Sequence, residues 1–565
     1  MKLRILKYTI ILLFCVLLIN IFRMQIIKGN KYFKQSENNR IRLVPEEASR
    51  GIIYDRNQIA LVKNELVFDL VATPQEIKAE SRKSLFLNLS KLVDISPEIL
   101  EQTFKLNFNS SFSPVMLVTE LPREVAFSIE QEMSQLPGVF IQTRARRRYI
   151  YAEATAHLLG YVGKMQESEY PELKKYGYRI NDVVGRSGLE KSYNHLLRGK
   201  PGGMQLEVDS GGKIIEVVSY KPPVQGSDLH TTIDIKLQQL IHKLADEKKA
   251  GVCVMDAGSG EILAFYSAPS YDPNILMDKK KYMEIAHILQ GKSSPLLNRN
   301  LRSYAPGSIF KIVTAYAGLA EKKIGLETTF ECLGEFQIGK QSKNCWLKRG
   351  HGVIAIENAI TTSCNIFFYK LGLRIGEQSL AKYAKEFELG KNTGIDLPEE
   401  TAGVVPDAKW AKAKFNKNWY AGDTLNFAIG QGYLLITPLQ ALKMVAMVAN
   451  EGYDVLPHIV KTQPAGVYRN KKVLSTQILR IIQSGMLKVV RAAYGTGHRA
   501  HIDGVKIFAK TGTAQVAGRQ PHAWFVGYTE LKDRTICFAI FLEHGGHGGQ
   551  DAADIGKQIV LYLPR

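Results

Sequence analysis

The sequence predicts an α+β protein: an antiparallel sheet carrying a helical cluster, preceded by an elongated strand-rich segment and one N-terminal transmembrane helix. Three observations predict it. Strand patterns flank a long helical stretch in the C-terminal part, short strands broken by turn residues fill the part before it, and an uncharged apolar run opens the chain. At 565 residues the chain exceeds what one hydrophobic core serves, so at least two domains are expected.

The apolar run is Thr9–Phe22, with Lys2, Arg4 and Lys7 before it and Arg23 after it. A spanning helix needs about 20 residues. Met24, Ile26 and Ile27 extend the run if the Arg23 side chain snorkels to the interface. The alternatives are a cleaved signal peptide or a buried helix. No small-x-small cleavage site follows, and Phe14 stands where a lipoprotein site at Cys15 needs a small residue. The reading is therefore a cytoplasmic tail over 1–7 and an uncleaved anchor over 8–27, with the basic flank keeping the N-terminus inside and the rest outside. The formal charge of +20 favours acidic neighbours. Outside the cytoplasm this excludes nucleic acid and leaves anionic lipid and anionic wall polymer.

Residues 28–226 read as strand-rich, with a more helical, polar insertion at about 75–136 punctuated by Pro97, Pro114 and Pro122. The basic run Arg144, Arg146, Arg147, Arg148 reads as a solvated strand face, and Leu189–Leu197 as a short helix ended by Gly and Pro. A boundary loop at Lys221–Gly226 opens the segment 227–565. There Thr231–Lys249 reads as an amphipathic helix with Leu237, Leu240, Ile241 and Leu244 on one face, and Gly251–Ser267 as two strands about an Ala-Gly-Ser-Gly turn. Residues 305–486 are mostly helical, and strands return at Val505–Ala509, His522–Tyr528 and Thr535–Leu542.

Three short motifs follow in order: Ser308-Ile-Phe-Lys311, Ser363-Cys-Asn365 and Lys510-Thr-Gly512. Each alone is common; the ordered set is specific. Pro306-Gly307 and a following apolar helical run place Ser308 at a helix N-terminus, where backbone N–H groups favour developing negative charge. Lys311 lies one turn on, on the same face. A serine hydroxyl attacks only when a base takes its proton, and a lysine buried in this apolar helix is neutral enough to serve. Ser363 and Asn365, on a turn between helices, suit proton transfer to a leaving amine and the holding of a substrate amide. Lys510, Thr511 and Thr513 suit a substrate carboxylate, with Gly512 letting substrate backbone approach the edge of the preceding strand. The N–H groups of Ser308 and Thr513 would form an oxyanion hole.

The chain resembles the class B penicillin-binding proteins, and among them the elongation type, over nearly its whole length. The resemblance rests on RGIIYDRN (50–57), GRSGLEKSYNHLLRGKPG (185–202), APGSIFK (305–311), GHG (350–352), TGIDLPEETAGVVP (393–406), WYAGDTLNFAIGQGYLLITPLQ (419–440) and AKTGTAQ (509–515). One departure is Gln58, where the family usually has Gly. The resemblance implies a penicillin-binding/β-lactamase-like transpeptidase domain over 227–565 and a non-catalytic pedestal or dimerisation domain over 28–226. It implies D,D-transpeptidation of peptidoglycan stem peptides through a Ser308 acyl-enzyme, acylation by β-lactams, and no cofactor for the chemistry. It also implies partners in the cytoplasmic membrane of the RodA-type glycosyltransferase kind and an MreC-like scaffold. The rival activity is a D,D-carboxypeptidase or β-lactamase, which hands the acyl group to water; a silent β-lactam-binding scaffold is the rival without chemistry.

Of six cysteines one lies in the anchor, and the remaining five cannot all pair within one chain. Cys332, Cys345, His351 and Cys364 make a three-thiolate, one-imidazole set suited to a structural zinc. The resemblance adds that some elongation-type relatives hold zinc at places matching Cys345, His351 and Cys364. A Cys332–Cys345 disulfide or plain buried thiols are the alternatives. His544 and His547, in a Gly-rich loop, read as solvated.

Overall fold

A computed structural model describes residues 2–29, 41–108, 114–180, 182–208, 214–291, 293–339, 341–461 and 469–564. The chain forms two compact units, one of residues 1–51, 64–147 and 195–227, the other of residues 52–63, 148–194 and 228–565.

The first unit begins with helix α1 (Lys2–Phe22), continued by a wider turn at Arg23–Ile27. Arg4–Ile27 has a mean hydropathy of 2.5 over its apolar window and none of its side chains is covered by protein. Among the described residues it is the one helix long and apolar enough to cross a bilayer. Strands Ile41–Glu46, Gly202–Val208 and Ile214–Lys221 make an antiparallel sheet. A separate core gathers Phe86, Leu89, Leu100, Phe104, Val115 and Ile129. It is built by helices Arg82–Val93, Pro97–Leu106 and Arg123–Gln131 around strand Val115–Leu121. Pro97 at the first position and the Ser96 hydroxyl, which accepts from the Ile99 N–H at 3.4 Å, start the second helix. The insertion expected at 75–136 is thus mixed, because β-branched and aliphatic Val115–Leu121 pairs with the end of strand Ala60–Ala72.

The basic run corrects the sequence reading. Arg144 Nε meets the fully buried Asp69 at 2.6 Å, Arg146 pairs with Glu120, and Arg147 Nη1 donates to Asn64 Oδ1 at 3.1 Å. Arg144 and Arg146 are thus charge-paired with acidic residues distant in sequence, while Arg148 alone of the run is exposed as expected.

The second unit is built on five antiparallel strands: β1 (Ala250–Asp256), β2 (Ile262–Ala268), β3 (Ile507–Val516), β4 (Arg519–Glu530) and β5 (Thr535–Leu542), in the order β2-β1-β5-β4-β3. Every residue of β2 is buried, so both faces are covered and the strand reads as an unbroken apolar run instead of an alternation. Helix Pro438–Ala449 packs on β1, β4 and β5, while Ile235–Ala245 packs on β2 and on the C-terminal helix Asp551–Tyr562. The amphipathic helix is shorter than 231–249 and buries Ile235, Leu237, Gln238, Ile241 and Ala245; Leu240 and Leu244 sit at the margin. Its start is set by Asp234, whose carboxylate accepts from the N–H groups of Lys236 and Leu237. Gln58 takes φ +66°, the left-handed conformation a glycine adopts without strain, which gives the departure from the family its physical content.

Candidate active site

Ser308 stands on a 3₁₀ turn, Gly307–Phe310, that runs into helix α2 (Lys311–Ala320). Three contacts hold this turn against the sheet. The Gly307 N–H donates to the Gly430 carbonyl at 2.8 Å, and the Trp524 indole, fully buried in β4, donates to the Ala305 carbonyl at 3.0 Å. Third, Gly307 has φ +56° and lies so close to β3 that a Cβ there would be 2.7 Å from the Thr513 carbonyl oxygen. Glycine is the residue that permits this approach.

Lys311 is fully buried. Its ammonium donates to the Ser363 carbonyl at 2.8 Å, to Asn365 Oδ1 at 2.7 Å and to Ser363 Oγ at 3.3 Å. Burial pushes its pKa down to about 8, against attraction from the Cys364 and Cys345 sulfurs. These hydrogen bonds tie Lys311 to the Ser363 turn, one helical turn from Ser308.

Ser363 takes φ +53° on the turn between helix Ile356–Thr361 and helix α3 (Asn365–Ile375). A left-handed non-glycine residue costs on the order of 1 kcal/mol, held here by the packing around it. The Asn365 amide also donates to the Asn344 carbonyl at 3.3 Å.

Lys510-Thr-Gly-Thr513 lies inside β3, not after a strand ending at Ala509, because pairing with β4 continues through Ala514. Lys510 is fully buried, donates to the Thr511 carbonyl at 3.0 Å, and is pushed well below the usual lysine range by desolvation and by Lys311. The Thr511 hydroxyl donates to Thr496 Oγ1 at 2.7 Å, whereas Thr513 is partly exposed and its carbonyl accepts from Gln431 Nε2 at 3.5 Å. A Cβ at Gly512 would sit 2.9 Å from both Ile309 Cγ2 and Trp524 Cβ. Packing of the Ser308 turn therefore requires glycine there, apart from any approach of substrate. Sequence reasoning gave no role to Gly430 and Gln431, although both lie in the quoted block 419–440.

The cysteine set comes together. One donor atom each from Cys332, Cys345, His351 and Cys364 all lie within 4.8 Å of one another. His351 Nδ1 is 3.5 Å from the sulfurs of Cys332 and Cys345. The Cys364–Cys345 hydrogen bond holds Cys345 well below the usual thiol range and pushes Cys364 up. All six cysteines are free thiols. Four buried or half-buried soft donors converging from a hairpin region and from the cap of α3 fit a closed tetrahedral structural metal site. His544 is not solvated as expected: its Nδ1 meets the Gln520 carbonyl at 2.8 Å and its ring lies 4.8 Å from His522, while His547 is exposed.

A serine on a turn one helical step from a buried lysine, clamped against the edge strand of a five-stranded antiparallel sheet, defines the class of serine acyl-enzymes that β-lactams inhibit. Residues 250–561 match the family described as Penicillin binding protein transpeptidase domain, and residues 45–231 the Penicillin-binding Protein dimerisation domain. The chain belongs to the penicillin-binding protein transpeptidase family. It is 32% identical to the peptidoglycan D,D-transpeptidase MrdA of Salmonella typhimurium, over 98% of this chain and 94% of that protein. It is similar to penicillin-binding protein 2 of Helicobacter pylori, solved in complex with MreC, with a TM-score of 0.83 and 29% identity over 92% of this chain and 98% of that one. A third likeness is to a chain of a peptidoglycan synthase complex described as coordinating polymerization and crosslinking, with a TM-score of 0.75 and 28% identity over 99% and 97% of the two chains.

Proposed function

We propose that this protein is a peptidoglycan D,D-transpeptidase of cell-wall elongation, working through a Ser308 acyl-enzyme. The observation that carries the reading is the buried Lys311, one turn from Ser308 and hydrogen-bonded to both Ser363 and Asn365. In its neutral form Lys311 takes the Ser308 proton as Oγ attacks the carbonyl of the terminal D-Ala-D-Ala bond. The N–H groups of Ser308 and Thr513 hold the oxyanion. Ser363 relays the proton to the departing D-alanine, Asn365 positions the substrate amide, and Lys510 with Thr511 and Thr513 receives the terminal carboxylate. An acceptor amine on a neighbouring strand then takes the acyl group and frees Ser308.

Residues 227–565 would carry this chemistry and 28–226 would serve as pedestal. The N-terminus would lie inside and the catalytic part outside, given the basic flank of the anchor. Likeness to proteins solved with MreC and within a synthase complex supports an MreC-like scaffold and a RodA-type polymerase as partners. Cys332, Cys345, His351 and Cys364 would hold a zinc ion, which supplies cross-linking of the turn bearing Ser363 and no step of the acyl transfer.

Fluorescent penicillin followed by mass spectrometry tests the nucleophile. Wild type gains one stable adduct and Ser308→Ala gains none; an unlabelled wild type sinks the proposal, and rapid loss of label moves the activity to a hydrolase. For the metal, elemental analysis should return one zinc per chain, and a strong chelator should lower the thermal midpoint. Metal-free protein with the same midpoint refutes the site.

A further inference from the structure

We infer that Lys343 is a specificity residue that reads a carboxylate on the acyl-donor peptide, upstream of its D-Ala-D-Ala terminus; the inference rests on the transpeptidase reading above. Lys343 lies on a hairpin of strands Glu335–Ile338 and Gln341–Asn344, absent from the three motifs. Its ammonium reaches across to Asn426 Oδ1 at 3.3 Å, at the end of helix α4 (Ala421–Ala428).

This contact closes a ring of covalent and hydrogen-bonded links that includes the nucleophile. From Lys343 the chain passes to Asn344, whose carbonyl accepts from Asn365, and Asn365 accepts from Lys311 at 2.7 Å. Lys311 follows Ser308 by one turn, and Gly307 is tied to Gly430 at 2.8 Å. The Gln431 N–H returns to the Asn426 carbonyl at 2.8 Å, and the Gln431 side chain reaches Thr513 on β3 at 3.5 Å. Lys343 is therefore part of the same bonded frame that holds Asn365, Lys311 and Thr513.

Its electrostatic position is unusual for a half-buried lysine. Among the described residues no carboxylate pairs with it, and its side-chain partner is a neutral amide. Lys348 and Arg349 add positive charge to the same segment, and the one carboxylate of the hairpin, Glu335, accepts from Gln337 and Ser342. A half-desolvated ammonium held by one weak neutral contact gains most from an anionic ligand. The Asn426 contact fixes where that ammonium lies. A peptide lying along β3 with its terminus at Ser308 would run beside this frame, and a side-chain or backbone-derived carboxylate on it would replace the Asn426 contact with a charge-assisted one.

The test uses two synthetic stem pentapeptides identical except that the internal carboxylate is free or amidated, assayed with full-length protein in detergent. Wild type should prefer the acid by about tenfold in kcat/KM, expressed mainly in KM. Lys343→Gln should erase the preference and Lys343→Arg should keep it, which a merely structural role would not produce. A Lys343→Gln variant that still labels with fluorescent penicillin yet keeps the acid preference overturns the Lys343 assignment alone. A wild type with neither label nor product overturns the transpeptidase reading and this inference together.

Discussion

The first unit and the Ser308 site of the second hold positive charge in opposite ways, whereas elsewhere in the second unit the buried Arg299 and Lys443 are paired with Glu543 and with Asp454 and Glu388. In the first, Arg144 and Arg146 on strand Val139–Tyr149 are matched by Asp69, Glu120 and Glu65. At the Ser308 site, Lys311 and Lys510 are both fully buried, donate their hydrogen bonds to neutral groups, and repel one another. A paired guanidinium keeps its charge and holds strands together. A buried ammonium with no carboxylate partner pays in desolvation and moves toward neutrality, which is the state a general base requires. The same residue class thus does structural work where it has counter-ions and chemical work where it lacks them.

The largest expected effect comes from deleting the unpaired lysine. Lys311→Met keeps volume and burial but removes the base, and the rate of penicillin acylation should fall by about 10³-fold, measured by stopped labelling against time. Equal rates in the two proteins would remove Lys311 from the mechanism. In wild type the same rate should depend on pH with a definite sign. The reactive form is the neutral amine, so with a pKa near 8 about one molecule in ten is competent at pH 7. The rate should drop about tenfold per unit below pH 7 and level off above about pH 9. A flat profile would mean that the charge on Lys311 is not titrated in the step.

A smaller effect follows from breaking the matched side of the comparison. Asp69 is fully buried and accepts from both Arg144 Nε and the Glu120 N–H at 2.8 Å. Asp69→Ala leaves a half-buried guanidinium and a backbone N–H without their acceptor, at a cost of about 3 kcal/mol to the first unit. Denaturant unfolding followed by limited proteolysis should show the first unit opening earlier, with penicillin labelling of the second retained. Simultaneous loss of both would show that the ion-pair network does not act locally.

The same contrast explains what the sequence disclosed. Ser308, Lys311, Ser363, Asn365 and Lys510 were legible because each sits in a contiguous motif whose local context, Pro-Gly before a helix or a short inter-helical turn, also sets its geometry. Cys332, Cys345, His351 and Cys364 stood out by residue type and spacing, and their donor atoms lie within 4.8 Å of one another. Long-range partnership was not legible. Arg144 finds Asp69 across 75 positions and Lys343 finds Asn426 across 83, so a basic run looked solvated and Lys343 looked unremarkable. The extent of β3 differs for a related reason: the sequence ends the strand at Ala509, but pairing with β4 carries it on through Lys510–Thr513.

The least effect expected is at the outer edge of the paired network, and it tests whether pairing alone matters or pairing with burial. Arg146 has two acidic neighbours: Glu120, in close contact, and Glu65 at 3.9 Å, whose side chain is 34% exposed. At that separation and exposure water screens most of the attraction, and the Glu120 contact persists when Glu65 is neutralised. Glu65→Gln should therefore change the stability of the first unit by less than about 0.5 kcal/mol, and the difference should vanish in about 0.5 M salt. A loss comparable to that of Asp69→Ala would show that the network is a cooperative unit in which exposure does not decide the value of each pair. A negligible loss confines the stabilising role to the buried Asp69, and sharpens the contrast with Lys311 to one variable, the presence of a desolvated counter-ion.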